Sequence, residues 1–298
     1  MKSAPFDYAR PESLAEACAM LAADEDARAI AGGQSLIPMM AMRLARPTKL
    51  VDIYRLPELH GIGSDEDSVT IGAATRQVEA EHSPTVHGLL PLLAKALPWV
   101  GHPPTRNRGT VGGSLANADP AAEIPLVAVA LGAKIDVTNL NGVTTYDADD
   151  FFIGPMLTAL APGDCLSAVR FPRWRRACVG SAFHEVSARR SDFAFVAAAA
   201  QVALDPEGRI AGAALGIGGL GDRPVHVDTT ALGGERPQQL LIGEVVRAGT
   251  HEIEAMSDLQ ASASYRQRVA VGLGTRALLD ACVDAVGRDA EARRRGLA

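Results

Sequence analysis

Residues Arg106 to Pro125 read RNRGTVGGSLANADPAAEIP, and the rest of the chain is organised around them. Gly112 and Gly113 form a pair flanked by Thr110 and Ser114. A glycine pair lets backbone N–H groups converge on one point without side-chain interference, and the hydroxyls on either side add donors. Asp119-Pro120 and Glu123 follow, ahead of an apolar Ala/Leu/Val run. A proline near the start of such a run suits the first turn of a helix, whose free N–H groups favour an anion. These are the requirements of a phosphate or pyrophosphate site.

Ala31 to Pro38, AGGQSLIP, repeats the pattern: a glycine pair (Gly32, Gly33), a hydroxyl two residues on (Ser35), and a proline before an apolar run. Two such loops, well separated in one chain, suggest two arms closing on one extended phosphate ligand, and a dinucleotide pyrophosphate is the natural candidate. Neither loop contains the Rossmann G-x-G-x-x-G or a Walker GK[ST]. From the residues alone, two tight strand-to-helix turns with no ligand explain the pattern equally well.

AGGQSLIPMM and RNRGTVGGSLANADPAAEIP resemble the two flavin loops of the FAD-binding medium subunit of molybdenum hydroxylases. That family includes the carbon monoxide dehydrogenase medium subunit and the flavin part of xanthine dehydrogenase. The opening APFDYARPESLAEA and the late DLQASASYRQRVA resemble it too, so the likeness spans essentially the whole chain.

At 298 residues the chain suits two or three modest domains. Its 47% apolar and 21% charged residues are ordinary for a globular protein. A formal net charge of −6 argues against broad nucleic-acid affinity, and the basic tail Arg288 to Arg295 is interrupted by Asp289 and Glu291. No apolar run approaches the ~20 residues of a membrane span, and the start lacks an apolar signal core, so a cytoplasmic protein is expected. The cysteines Cys18, Cys165, Cys178 and Cys282 make no C-x-x-C pair and fit no zinc or iron–sulfur framework. Small buried or half-buried thiols are expected, and no metal is assigned, since the histidines are scattered. Any redox chemistry runs without a cluster of the chain's own.

Taken in order, residues 1–57 read as a small α/β unit. It has strands near Phe6–Tyr8, Arg28–Ala31 and Lys49–Ile53, a capping box at Ser13-x-x-Glu16 opening a helix, and a helical turn or two over Pro38–Leu44. Residues 58–175 form a second unit. Strands are expected at Leu59–Ile62 and Ser68–Ala73, and helices at Thr75–His82 and Thr85–Leu97. His102-Pro103-Pro104 reads as a stiff, non-helical approach to the glycine pair. A helix over Ala121–Leu131, kinked or restarted at Pro125, precedes a hairpin of Lys134–Asn139 and Val143–Tyr146 turning at Asn141-Gly142. Cys165–Phe171 closes the sheet, and Pro172–Arg176 marks the boundary. Residues 176–298 form a third unit: a three-stranded antiparallel meander (Ser181–Ser187, Phe195–Leu204, Arg209–Ile217), with helices at Thr229–Leu232, Gln238–Ala248 and Ser264–Val286.

No catalytic residue is assigned. Asp119 is suited to cap a helix at Pro120, and Glu123 to accept hydrogen bonds from ligand hydroxyls. A cofactor must supply the reactivity.

The resemblance implies the rest. The fold is α+β: a two-subdomain FAD-binding domain of the vanillyl-alcohol-oxidase (PCMH) type, then a C-terminal domain of the carbon monoxide dehydrogenase flavoprotein type. FAD is held noncovalently, since both loops lack a His, Cys or Tyr for attachment. First-loop contacts are Ile30, Ala31, Gly32, Gly33, Gln34, Ser35 and Leu36. Second-loop contacts are Thr110, Val111, Gly112, Gly113, Ser114, Asn117, Ala118, Asp119 and Glu123, the last toward the ribityl chain. Leu166 and His184 are further contacts. Gln34 stands where the carbon monoxide dehydrogenase group often has His, and His184 or Glu185 where relatives often carry a cation near the isoalloxazine. The molybdenum cofactor and two [2Fe–2S] clusters reside in a large and a small partner subunit, with a dimer of heterotrimers as one assembly. Electrons reach FAD from the clusters and leave to NAD, a quinone or oxygen. Arg173–Arg176 and the pair Arg189 and Arg190 are candidate docking charges. The alternatives are a self-contained flavoprotein oxidase and a scaffold subunit that has lost the flavin.

Overall fold

The computed structural model describes residues 2–176 and 178–294, with side chains through 288. Its first sheet is small and parallel. Strands β1 (Asp7–Ala9), β2 (Arg28–Ile30) and β3 (Lys49–Asp52) run in the order β1-β3-β2. Helix α1 (Leu14–Ala22) turns Ala17, Cys18 and Leu21 into the core beneath them. The Ser13 hydroxyl caps it by accepting the Glu16 N–H at 3.1 Å. The reciprocal half of the capping box is displaced, because the Glu16 carboxylate takes the N–H of Glu12 at 2.6 Å. Helix α2 (Leu36–Ala41) follows β2 directly.

The second sheet is antiparallel and five-stranded: β4 (Ile62–Ser64), β5 (Ser68–Gly72), β6 (Lys134–Asn139), β7 (Gly142–Asp147) and, returning later, the long strand Cys165–Pro172. Leu59, expected in a strand, ends a 3-10 turn at Pro57–Leu59 instead. Between β5 and β6 lies a run of short helices: α3 (Gln77–Glu81), α4 (Pro84–Leu89), α5 (Pro91–Ala96), α6 (Pro103–Arg108), α7 (Val111–Asn117) and α8 (Glu123–Leu131). The continuous helix expected over Thr85–Leu97 is divided at Pro91, which starts α5 as its first residue. Pro103-Pro104, read as non-helical, opens α6. The first helical positions need no intrahelical N–H donor, so proline initiates there what it would break further in. For the same reason Pro125, third in α8, neither kinks nor restarts that helix, which starts at Glu123. After the hairpin come α9 (Ala148–Phe151) and the ribbon β8 (Phe152–Gly154) and β9 (Leu157–Thr158). The returning strand, β10, pairs with both β5 and β6, so it is the middle of the sheet and not its closing edge.

The third sheet is antiparallel in the order β11 (Cys178–Val186), β12 (Val196–Leu204), β13 (Ile210–Gly218) and β14 (Val225–Val227). It has four strands, one more than expected; β14 is three residues long and offers too short a pattern for alternation to reveal it. Helices α10 (Gln239–His251) and α11 (Ala263–Arg294) cover one face. Helix α8 covers the other: a Cβ at Gly216 would lie 2.9 Å from Ala130 Cβ and 2.9 Å from Leu126 Cδ1. This is why α8 is apolar all round. Ile124 to Leu131 are all buried, between the second and third sheets. Strand β12, VAAAAQVAL, is likewise buried along its whole length, since α11 and α8 press on its two faces and small side chains let them approach.

Arg266, only 2% exposed, fastens the far end of this layer: its guanidinium donates to the carbonyls of Phe195 and Gly219 and pairs with Asp258 at 2.6 Å. The arginines of the Pro172–Arg176 crossover are also occupied internally. Arg173 donates to the Asp65 carbonyl, Arg175 pairs with Glu66 and Asp67 at 3.3 and 3.1 Å, and Arg176 donates to the Ala211 carbonyl. Cys18, Cys165 and Cys282 are buried and Cys178 is half-buried; burial pushes the Cys165 thiol up to about 12 and the Cys282 thiol up to about 11. Of the basic tail, Arg288 pairs with Asp284 at 3.0 Å, while Arg295 lies outside the described residues.

Candidate functional site

The two glycine segments meet. A Cβ built on Gly32 would lie 2.4 Å from the Arg108 carbonyl oxygen and 2.8 Å from Gly109 Cα. Only glycine allows the turn after β2 to sit against the turn that joins α6 to α7. Gly33 has φ +70°, the left-handed region, and from there the chain enters α2.

The backbone N–H groups of Gly32, Gly33, Gln34 and Ser35 find no acceptor among the described residues. Gln34 Nε2 folds back on the Gly32 carbonyl at 3.3 Å, and the Ser35 hydroxyl makes no cap bond to its helix. Four successive unpaired amides on an accessible turn form a cradle for an anion.

The second segment is built differently. Its glycine pair lies inside α7, not in a loop, and its amides are already used. Val111 donates to the Thr75 carbonyl at 3.0 Å, Gly112 to Ala73 at 2.9 Å, and Gly113 to the capping Thr110 hydroxyl at 3.0 Å. The convergent donors expected here are absent, because a helix N-terminus capped by its own threonine and by the β5 end has spent them. The glycines serve as surface. Gly112 is buried, with a Cβ position 2.5 Å from Ala73 Cβ, so it lets α7 lie against the strand end. Gly113 is exposed and presents bare backbone. Ser114 and Asn117 lie half-buried along the same helix, and Asn117 Nδ2 reaches Met156 Sδ at 3.6 Å.

Ala118 ends α7 with φ 49°, an uncommon conformation for a residue with a Cβ. The reversal it makes leads directly to the acidic residues. Asp119 does not cap α8; its carboxylate accepts the Ala121 N–H at 2.9 Å in a local turn, and α8 starts at Glu123. Burial raises the Asp119 carboxyl. Burial, reinforced by Asp119, pushes Glu123 up to about 7, although its own N–H and Arg106 favour the charged form. Arg106 is held in place by paired bonds to Glu81, 2.7 and 3.1 Å, and by the carbonyls of Val100 and Gly101. That clamp fixes α6 and hence the turn that Gly32 touches.

The remaining expected contacts separate. Leu166 is buried in β10 beside a bulge, and the following Ser167 carbonyl accepts the Ala73 N–H at 3.0 Å, so this stretch supports α7 from behind. His184 faces the C-terminal helix, where its Nε2 meets Asp280 at 2.8 Å. Strand alternation sends the next residue, Glu185, the other way; burial, reinforced by the charge of Glu123, pushes its carboxyl up to about 8. Both Glu185 carboxyl oxygens are buried without a hydrogen-bond partner among the described residues. One-residue parity on β11 distinguishes the two side chains, and no sequence motif does.

A turn of free amides, a bare helix surface against it, and weakly acidic carboxyls beyond suit an extended ligand with an anionic group at one end and hydroxyls further along. FAD has that shape and chemistry, and the residues present fit it. The fold and site therefore define the class of a dinucleotide-binding protein.

Comparison with known proteins places that class within a family. Residues 4–174 match the family model described as FAD binding domain in molybdopterin dehydrogenase, and residues 181–281 match that of the CO dehydrogenase flavoprotein C-terminal domain. The nicotine 6-hydroxylase medium subunit of Paenarthrobacter nicotinovorans is 35% identical over 94% of this chain and 99% of its own. The carbon monoxide dehydrogenase medium chain of Hydrogenophaga pseudoflava is 34% identical over 92% and 96%. Reconstituted CO dehydrogenase from Oligotropha carboxidovorans contains a chain that superposes with TM-score 0.92 at 32% identity, covering 95% of this chain and 100% of that one. The chain belongs to the family of FAD-binding medium subunits of molybdenum hydroxylases.

Proposed function

We propose that this chain binds one FAD noncovalently and carries electrons from the [2Fe–2S] clusters of a small partner, reduced by a molybdenum-cofactor subunit, to an external acceptor. The chain is inactive on the complex's substrate when alone and assembles with both partners, as a dimer of heterotrimers, in the cytoplasm. Its FAD-binding part, of PCMH type, comprises 1–57 and 58–175, and 176–298 form the C-terminal domain.

The observation that carries this reading is the row of unpaired amides at Gly32–Ser35 pressed against the α6–α7 turn. Those amides, flanked by Ile30, Ala31 and Leu36, hold the pyrophosphate. Thr110, Val111, Gly112, Gly113 and Ser114 give the flat surface it lies along, and Asn117, Ala118 and Asp119 set the reversal that brings Glu123 to the ribityl hydroxyls. Leu166 supports from behind, and His184 on β11 is the further contact, with its Nε2 at 2.8 Å from Asp280. Bound FAD supplies the electron chemistry; the protein's part is to bind it, orient it and exclude water around it.

Purified chain should be yellow, with one flavin per chain by absorbance. After acid precipitation the flavin should appear in the supernatant. A colourless chain that takes up no added FAD refutes the reading, and flavin retained in the pellet refutes noncovalent attachment.

A further inference from the structure

Arg76, between β5 and α3, is a half-buried cation at the place where the two glycine segments meet. Its backbone pairs with Thr110, the residue that caps α7, in an isolated antiparallel bridge. Its guanidinium lies over the Tyr54 ring, 3.5 Å from the centroid, and donates through Nη1 to the Arg108 carbonyl oxygen. That oxygen is the atom a Cβ on Gly32 would strike. One carbonyl thus has both the guanidinium and the Gly32 turn as neighbours, which puts the cation beside the row of unpaired amides at Gly32–Ser35. Tyr54 is held in turn, with its N–H on the Asp52 carboxylate at 3.0 Å and the His60 ring edge-on at 5.2 Å.

Among the described residues no carboxylate pairs with Arg76, and its Nε and Nη2 hydrogens find no acceptor. The neighbouring arginines differ: Arg106 is engaged by Glu81, while the side chains of Arg55 and Arg108 are exposed. A guanidinium stacked on an aromatic face has its plane fixed, and its remaining N–H groups form a fork that fits phosphate oxygens. Withdrawing such a cation from bulk water without an anion is unfavourable, and a diphosphate beside it offsets that cost.

We infer that Arg76 is the cationic wall of the pyrophosphate cradle: with Nη1 anchored on the Arg108 carbonyl and its plane set by Tyr54, it donates its free N–H groups to a pyrophosphate oxygen of FAD bound at the Gly32–Ser35 amides. The inference rests on the FAD reading above and adds a charge to a cradle otherwise made of neutral amides. Tyr54 is then a positioning residue that acts through Arg76. Salt weakens the attraction between this cation and the diphosphate. A guanidinium that only pins one turn to another leaves the salt response of FAD binding unchanged when it is removed.

The test is titration of the full chain, stripped of flavin, with FAD, followed by flavin fluorescence at about 0.05 M and about 0.5 M NaCl. Arg76→Gln is expected to raise Kd on the order of ten- to a hundredfold at low salt, the range for a lost charge-assisted hydrogen bond, and to reduce the rise in Kd that salt produces in wild type. Tyr54→Leu should change the same two quantities in the same direction and by less, and Tyr54→Phe, which keeps the ring, should restore them. Arg55→Gln, the same loss of charge on an exposed neighbour, should stay within about twofold of wild type. A wild-type Kd in Arg76→Gln or Tyr54→Leu, a raised Kd in Arg76→Gln with the wild-type salt response, or an equal loss in Arg55→Gln overturns the inference while leaving FAD binding intact. Failure of wild type to bind FAD at either salt overturns the parent reading instead. Circular dichroism establishes folding. If Arg76→Gln does not fold, phenylglyoxal labelling of wild type, read by mass spectrometry, decides the matter: saturating FAD is expected to shield Arg76, and labelling at the same rate with and without FAD overturns the inference.

Discussion

At the scale of single residues, the glycines of the site do different physical work. Gly32 and Gly112 are required by close approach, with Cβ positions 2.4 Å from a carbonyl oxygen and 2.5 Å from a neighbouring Cβ, whereas Gly33 is required by its φ of +70°. Gly112→Ala is therefore expected to destabilise the protein by about 1–3 kcal/mol, the usual cost of forcing volume into a packed contact, measurable by urea denaturation. Gly33→Val or Gly113→Val should abolish FAD retention. The first forces a branched residue into the left-handed region. The second drives a side chain 2.6 Å from the Thr110 hydroxyl and over the bare surface. Full flavin absorbance in both would make these turns structural only. Glu185 gives a pH signature independent of FAD. Its carboxyl is raised from 4.5 to about 8, so below 4.5 it is protonated in both folded and unfolded chains. As pH rises through that window the unfolded chain ionises more readily, and stability falls, levelling above about 8. Glu185→Gln should consequently be more stable than wild type at pH 8, by about 1 kcal/mol after allowing for solvent screening. Scanning calorimetry should show a Tm ~2–4 °C higher for a protein of this size, and a lower Tm at pH 8 contradicts the assignment.

At the scale of elements, α7 depends on one hydroxyl. Thr110 Oγ1 accepts the Gly113 N–H at 3.0 Å, and the residues that follow in the first turn, Val111 and Gly112, are anchored to Thr75 and Ala73. Thr110→Ala should cost about 1 kcal/mol and free the Gly113 amide; Thr110→Ser should restore most of it, with Tm as the readout. The glycine pair, read as a loop, became a helix start because strand β5 and the cap satisfy its amides, and those partners are distant in sequence. The proline-rich stretches show the same limit. Pro91 lies inside a helix expected to be continuous and Pro103 in a stretch expected to be non-helical, yet each begins a helix, because whether a proline ends one helix or begins the next depends on where the flanking chain is held. The bidentate Arg106–Glu81 clamp had no sequence signature, since the partners are separated by 25 residues.

At the scale of the whole molecule, α8 is buried between the second and third sheets, beside the proposed cofactor site. In the proposed site the C-terminal sheet thus contributes to the wall. Gly219 donates its N–H to the Pro120 carbonyl at 2.8 Å, tying that sheet to the turn before Glu123. Isolated chain loaded with FAD is expected to oxidise no aldehyde, purine or carbon monoxide, and addition of the iron–sulfur and molybdenum subunits should restore flavin reduction. Turnover by metal-free chain alone, established by elemental analysis, would favour a self-contained oxidase. The crossover arginines Arg173, Arg175 and Arg176 hold the chain's own segments at 65–67 and 211, so charge reversal there should lower stability before it affects assembly.

By itself the sequence determined the two glycine segments, most strands, the helix-rich C-terminal end and the family likeness. Each of these depends on local pattern: periodicity, turn chemistry, and residue types that permit close backbone approach. Tertiary structure alone decided that Gly32 meets Arg108, that the first segment's amides remain free while the second's are consumed, and that His184 pairs with Asp280 while the Glu185 carboxyl is buried without a hydrogen-bond partner among the described residues. Those outcomes depend on which distant groups arrive to accept a hydrogen bond or to share a buried charge. Linear spacing carries no record of that until the sheets have closed around α8.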